Sequence, residues 1–332
     1  MTVSNRPGVS GTFTLTVARR RLSLLAVLGV SFFVAACGSD SDTAGEGPAA
    51  SPESTTATTI STEPFVISAI PDQDPEKLQR LYGTVATYLT ATLGVTVEYK
   101  PVLDYPASVS LFKVGDLDMV WFGGLTGVQA RIQTPGSKTL VQRDVDENFH
   151  SVFIVNTSTG LAPITEAAGL AQLKGRRFTF GSESSTSGRL MPEFFLDEAG
   201  VQTTDFGGQP GFSGSHDKTI ELVTAGTFEA GVLNEQVWKA RLAEGKVDMG
   251  KVAAFYTTPG YHDYHWVARD DALSRYGPDF EARLVKAFTD LDPADPVQAT
   301  ILELFTAKRF IPTDDANYEE IQAVGRKLGL IT

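Results

Sequence analysis

Apolar residues recur along this chain at two spacings, and the spacings alternate. Phe65-Val66-Ile67-Ser68-Ala69-Ile70 is a short apolar run that predicts a buried strand. The period then changes: Leu78, Leu81, Val85, Leu89 and Leu93 share one helical face, with Asp74 placed to cap the start, Pro75 at the first helical position and Gly94 at the end. Val95 to Pro101 predicts a second strand, Asp104 to Gly115 another helix, and Leu117 to Phe122 a third strand stopped by Gly123-Gly124. Strand, helix and strand in such close succession predict a right-handed βαβ unit. Alternation continues through 139–142 and 151–156, so the expected class is α/β with a mostly parallel sheet.

A second set of the same units follows Thr157. Phe178-Thr179-Phe180 predicts a strand that enters "GSESSTSGRLMPEFF" and a helix ending near Gly200, and Phe212 leads through Ser213-Gly214-Ser215-His216 into a helix from Asp217 to Thr224. A strand at 231–233, a helix at 235–243 and a strand at 252–256 complete the set. Tyr264 to Arg269 predicts a strand that returns to the first set, and Phe280, Leu284, Ala287, Phe288 and Leu291 mark a later helix face. The expectation is two lobes, 64–156 with 264–332 and 157–263, joined by two crossing segments with a cleft between them.

The N-terminal region does not fit either period. Arg19, Arg20 and Arg21 precede an apolar run from Leu22 to Val34, and Ala35-Ala36-Cys37-Gly38 follows, which predicts an export signal over residues 1–36. Cys37 is the only cysteine, and Val34-Ala35-Ala36-Cys37 resembles a bacterial lipobox, so lipidation at Cys37 is expected. Residues 37–63, rich in Ser, Thr, Ala, Gly and Pro, read as a flexible tether. With one cysteine no disulfide forms within the chain, and the fold rests on its core.

The formal charge is −12, and cleavage of the signal, which carries four arginines and no acid, leaves −16. So acidic a body is a poor partner for nucleic acid, and any anion it binds must be held by local donors. The run Gly123-Gly124-Leu125-Thr126-Gly127 lacks the lysine of a phosphate-cradling nucleotide loop, which argues against a triphosphate.

In open α/β sheets ligands settle beyond the carboxyl ends of strands, where helix N-termini converge. This sequence places small polar residues at those positions. Ser185-Thr186-Ser187-Gly188 begins a helix with free backbone N–H groups and hydroxyls, an arrangement suited to an oxyanion. Ser213-Gly214-Ser215-His216 is a second such entrance, with an imidazole that an anion would hold protonated. Tyr105 adds a phenolic donor, and Trp121 and Phe122 offer aromatic walls.

These residues resemble the solute-binding proteins of ABC importers for phosphonate, phosphite and related oxyanions. The matching segments are "VISAIPDQDPEKLQRLYGTVATYLTATLGVTVEYKPVLDYPASVSLF", "DLDMVWFGGLTGVQA", "FTFGSESSTSGRLMP", "FSGSHDKTIELV" and "TTPGYHDYHWVAR", which span 65–269 in the family's order. The resemblance implies a two-lobed fold of the type II periplasmic kind, no cofactor, no metal and no catalysis, and a monomer that hands its ligand to a membrane permease. It also implies ligand contacts from Tyr105, Ser185, Thr186, Ser187 and His216, with Asp263 at the position of a pocket aspartate. Phe122 stands where phosphonate binders commonly carry tyrosine, and Gln236, beside Asn234 and Glu235, where amino-phosphonate binders carry a glutamate. The "DPEKL", "WFGGLTGVQAR" and "DYHWVAR" runs look closest to a branch labelled as selenate importers. Selenate and sulfate carry no proton near neutral pH, whereas phosphorus oxyanions often do, so a carboxylate reaching the ligand favours the latter.

Three rival readings remain at this level. A metalloenzyme would use His262, Asp263 and His265, although neighbours on a strand point to opposite faces. A hydrolase would pair one of Ser184 to Ser187 with His216, but no Gly-x-Ser-x-Gly elbow is present. A lipoprotein that signals to a membrane sensor would look the same in sequence.

Overall fold

The computed structural model of the protein describes residues 61–332. The predicted signal, Cys37 and nearly all of the tether lie outside the described residues. The first lobe opens with β1 (Phe65–Ala69), α1 (Pro75–Leu93), β2 (Val97–Tyr99), α2 (Tyr105–Val114), β3 (Met119–Phe122), α3 (Gly124–Gln133), β4 (Lys138–Thr139) and β5 (Val141–Arg143). The second holds β6 (Ser151–Asn156), β7 (Phe178–Phe180), α4 (Met191–Glu198), β8 (Gly211–Phe212), α5 (His216–Thr224), β9 (Ala230–Asn234), α6 (Glu235–Ala243) and β10 (Val252–Thr257). The chain then returns through β11 (His265–Ala268) and ends with α7 (Asp270–Ser274), α8 (Phe280–Thr289), α9 (Pro296–Leu304), β12 (Phe310–Pro312) and α10 (Glu319–Lys327).

Helix α1 shows why the local signals work. The Asp74 carboxylate accepts from the Lys77 N–H, Pro75 occupies the first turn, and Gly94 closes the helix at φ 71°. Its stripe Leu78, Leu81, Val85, Leu89 and Leu93 is buried in the first-lobe core, together with Phe280, Leu284, Ala287, Phe288 and Leu291.

Two five-stranded sheets form, in the orders β2-β1-β3-β11-β4 and β10-β6-β9-β7-β8, with β12 and β5 paired apart from them. Each is mostly parallel, as the sequence predicts, with four strands in one direction and a single strand reversed. Strand β1 runs parallel to β2 and β3, but β11 is antiparallel to both β3 and β4. In the other sheet β7 is parallel to β8 and β9, while β6 is antiparallel to β9 and β10. The antiparallel strands are those on which the chain changes lobe. They enter without a helical crossover, and only such a crossover lets successive strands run parallel.

Strand β6 also moves the expected boundary. Residues 151–156 were assigned to the first lobe, yet β6 pairs on both edges within the second sheet. It is buried on both faces: Phe153 and Val155 enter one core cluster, Val152 and Ile154 another. The crossing therefore falls near Phe149. There the Phe149 N–H donates to the Tyr261 carbonyl at 2.8 Å and the Tyr261 N–H to that of Phe149 at 3.0 Å, so the two crossing segments are tied to each other. Helix α3 is a further departure, because Gly123-Gly124 ends a strand and immediately opens a helix whose first residues are buried.

Candidate functional site

From β7 the chain passes Gly181 to Ser185 into a π-type turn, Thr186–Leu190, that continues into α4. Ser185 caps it, its Oγ accepting from the Gly188 N–H at 2.9 Å. The Gly181 N–H donates to the Gly188 carbonyl at 2.7 Å, and a Cβ on Gly188 would lie 3.1 Å from the Gly181 Cα. Glycine at both positions lets the strand end and the helix head touch. At that head the N–H groups of Thr186 and Ser187 have no intrahelical acceptor.

Around this turn three buried side-chain atoms lack a protein partner: the Tyr105 hydroxyl, the Ser187 Oγ and the Asp263 Oδ2. They are neighbours. Tyr105, at the start of α2 in the first lobe, lies beside Ser185 and within the field of Asp263, while Tyr261 lies beside both Ser187 and Asp263. Each such orphan costs about 1–3 kcal/mol, and a group that accepts from the two hydroxyls and reaches the carboxyl would offset that cost. Burial pushes the Tyr105 phenol well above its ordinary range, so it remains a donor.

Asp263 and Thr186 have a further role, because together they occupy the head of α3. The Asp263 Oδ1 accepts from the Gly124 N–H at 2.9 Å, and the Thr186 Oγ1 accepts from the Leu125 N–H at 3.0 Å. Thr186 is thus a pin from the second lobe into the first. Burial, only partly offset by the Gly124 hydrogen bond, pushes the Asp263 carboxyl up to about 7. The nearby cation is committed elsewhere: Arg143 grips Asp146 through two bonds of 2.7 Å.

The structure gives His216 a different setting from the one expected. Its Nε2 lies 3.3 Å from the Tyr264 hydroxyl, its Nδ1 accepts from the Asn234 N–H at 3.4 Å, and its own N–H donates to the Asp72 carbonyl at 3.0 Å. Burial pushes the ring down to about 4, so at neutral pH it is an uncharged link between lobes. Asn234 is equally engaged, capping α6 at Gln236 N and Val237 N and donating to Tyr264 at 3.1 Å. The Tyr264 hydroxyl donates in turn to Asp72 at 2.8 Å. Gln236 borders a small cavity of about 30 Å³ that Asp72, Lys77 and Tyr264 also line. Phe122 is turned into the core, edge-on to Phe112 at 5.6 Å.

Of the residues predicted from sequence, Tyr105, Ser185, Thr186, Ser187 and Asp263 come together. His216 and Asn234 form an adjacent cross-lobe network, Gln236 lies at its edge, and Phe122 joins neither group. Sequence reasoning missed Asp72, Ser151, Tyr261 and Tyr264. Tyr261 and Tyr264 lie in the "GYHDYHW" run, whose closely spaced aromatics were the available signal. Ser151 carried no signal, and its hydroxyl bonds Tyr261 at 2.6 Å and the Ser187 carbonyl at 2.8 Å.

Comparison with known proteins identifies the family. Residues 67–318 match the family model described as "ABC transporter, phosphonate, periplasmic substrate-binding protein". The chain is 48% identical over 266 residues to a probable ABC transporter phosphite binding protein of Prochlorococcus marinus, covering 80% of this chain and 90% of that protein. A phosphate-import protein of Mycolicibacterium smegmatis is 27% identical over 214 residues, 60% of this chain and 64% of that protein. The Prochlorococcus protein solved with methylphosphonate superposes with a TM-score of 0.80 at 47% identity, covering 82% of this chain and 100% of that one. A binding component of an ABC phosphonate transporter from Pseudomonas aeruginosa, 16% identical, shares the fold with a TM-score of 0.68 over 80% of this chain and 86% of its own. The two lobes are those of a type II periplasmic binding protein, the role is capture and not catalysis, and this chain belongs to the family of periplasmic substrate-binding proteins of phosphonate-type ABC transporters.

Proposed function

We propose that this protein captures a small phosphorus oxyanion able to carry a proton, phosphite or methylphosphonate in preference to sulfate or selenate, and delivers it to an ABC permease. The observation that carries the reading is Asp263, a buried carboxyl with one oxygen bonded to Gly124 and the other free beside the free hydroxyls of Tyr105 and Ser187. One proton shared between this carboxyl and the ligand replaces a clash of two anions. Phosphite and alkylphosphonates supply that proton near pH 7. Sulfate and selenate do not, and they bind only when Asp263 itself is protonated. The names of the Prochlorococcus relative, a phosphite-binding protein solved with methylphosphonate, support the same choice.

In this reading Tyr105 grips the ligand from the first lobe, and Ser187, with the N–H groups of Thr186 and Ser187, from the second. Ser185 and Thr186 hold the helix head in place, and the His216–Tyr264–Asp72 network backs the closed arrangement. Lipidation at Cys37 keeps a monomer at the outer membrane face. Mass spectrometry of the membrane-bound protein is expected to find Cys37 at the mature N-terminus with a lipid on its thiol, and an unmodified Cys37 would overturn the anchor.

Calorimetric titration at pH 8 is expected to show micromolar or tighter binding of phosphite and methylphosphonate, and binding of sulfate and selenate at least about tenfold weaker, since one pH unit above 7 about a tenth of the Asp263 carboxyls still carry their own proton. Sulfate or selenate binding as tightly as phosphite at pH 8 would sink the assignment. Lowering the pH through 7 is expected to admit sulfate in the wild type, as Asp263 takes up its own proton.

A further inference from the structure

His265 is fully buried, and neither the ligand cluster nor the cross-lobe network uses it. Its Nδ1 lies 3.0 Å from the Asp263 carbonyl, a contact that only an N–H at that nitrogen satisfies. The other nitrogen, Nε2, has no partner. One ring face stacks on Tyr318, with centroids 3.8 Å apart. The ring edge runs against α3, where a Cβ on Gly127 would lie 2.4 Å from both Cε1 and Nε2. Arg131, paired with Asp315 at 2.6 Å, and His262 are the charged or titratable groups that bear on the ring besides Asp263, and burial pushes the imidazole down to about 3, leaving it neutral.

Gly127 stands three residues after Gly124, on the same face of α3. Gly124 is the residue whose N–H the Asp263 carboxylate accepts. The turn carrying Asp263 is therefore held to α3 at two points, by the Asp263–Gly124 hydrogen bond and by the close approach of His265 to Gly127. The Asp263 N–H is held separately, by the Asp146 carbonyl at 3.2 Å. We propose that His265 is a positioning residue for the ligand carboxyl: its Nδ1–H fixes the Asp263 backbone, and its packing on Gly127 sets the distance between that carboxyl and the head of α3. Gly127 is needed there because any side chain drives the ring out.

The proposal rests on the assignment of Asp263 to the ligand site, and it makes two unrelated substitutions equivalent. Neither His265→Leu, which removes the donor, nor Gly127→Ala, which displaces the ring, alters a residue of the ligand cluster. Each is expected to weaken phosphite binding about tenfold and to shrink the preference for phosphite over sulfate at pH 8. His265→Asn, whose side-chain amide places a donor where Nδ1 stood, is expected to recover most of both. A loss of melting temperature in His265→Leu and Gly127→Ala with the phosphite-to-sulfate ratio intact would overturn the proposal, leaving only a packing role. So would His265→Asn behaving like His265→Leu. Titration of the ligand-free proteins by carboxyl carbon NMR, with Asp263→Asn to assign the resonance, separates this claim from the ligand assignment. The Asp263 midpoint is expected to move in His265→Leu and Gly127→Ala and to stay in His265→Asn, whether or not phosphite is the ligand, and an unmoved midpoint in the first two variants would reject the positioning role.

Discussion

Asp263 has its proton affinity raised by burial to about 7, far above the 3.8 of a free aspartate. The folded chain thus holds a proton that the unfolded chain releases between about pH 4 and 7, and this group makes stability fall as pH rises through that window. Asp72, pushed up to about 6, acts in the same direction. His216 and His265, pushed down to about 4 and about 3, act oppositely, their contribution rising with pH until about 6.5. Of these four groups Asp263 alone still titrates above pH 6.5. Asp263→Asn is therefore expected to raise the melting temperature of the ligand-free protein at pH 8 by about 2–4 °C while abolishing pH-dependent admission of sulfate. Scanning calorimetry at pH 6 and pH 8 checks the first part, and an unchanged or lower midpoint at pH 8 rejects it. In the proposed binding mode Ser187→Ala and Tyr105→Phe each remove one donor to a charged ligand, with an expected cost of about 1.5–3 kcal/mol or roughly 10–100-fold in phosphite affinity by calorimetry.

At the scale of elements, the chain follows its local signals closely where the physics is local. Helix α6, predicted over 235–243, spans Glu235–Ala243, because Asn234 supplies a cap that any conformation of the rest would respect. Helix α9 ends against its own preference. Thr306 sits at φ 55°, with its N–H on the Glu303 carbonyl and the next N–H, of Ala307, on that of Leu302. This is a Schellman closure with a β-branched residue in the position that favours glycine. Thr306→Gly is expected to stabilise the protein by about 1 kcal/mol in urea unfolding, and a loss of stability would show that the threonine side chain contributes more than its backbone strain costs. By contrast α3 was hidden, since its glycines serve tertiary contacts: Gly123 admits Thr186 and Asp263, and Gly127 admits His265.

For the whole molecule, the question is what closes one lobe over the other. Bonds cross between them without any ligand atom, among them Leu125 to Thr186, His216 to Asp72, Asn234 to Tyr264, Lys327 to Glu198, and Asp74 to Asp217. The last is a clasp in which the Asp217 carboxylate accepts from the Asp74 N–H at 2.9 Å while Arg241 holds it through two bonds of 2.6 Å. Asp217→Asn leaves the ligand cluster intact and is expected to raise the phosphite dissociation rate a few-fold, with the association rate unchanged, in stopped-flow tryptophan fluorescence. A change confined to association would show that the clasp does not act on the closed state. An acidic body that holds an anion by hydrogen bonds should also bind with only mild dependence on salt.

The sequence by itself determined the alternation of strands and helices, the capped ends of α1 and α6, the apolar stripes that fill the first-lobe core and the clustering of hydroxyls at the Ser185–Ser187 helix head. These depend on contacts within a turn or two, so neighbouring residues suffice to specify them. Tertiary structure decided which sheet receives β6, why the crossing strands run antiparallel, and which donors at the helix starts are left for a ligand. The Leu125 N–H is taken by Thr186 and the His216 ring by Tyr264 and Asn234, while Tyr105, Ser187 and Asp263 keep a free atom each. Hydrogen bonds between groups 61 and 139 residues apart have no trace in local pattern, and together they separate a capped α3 head from an open one.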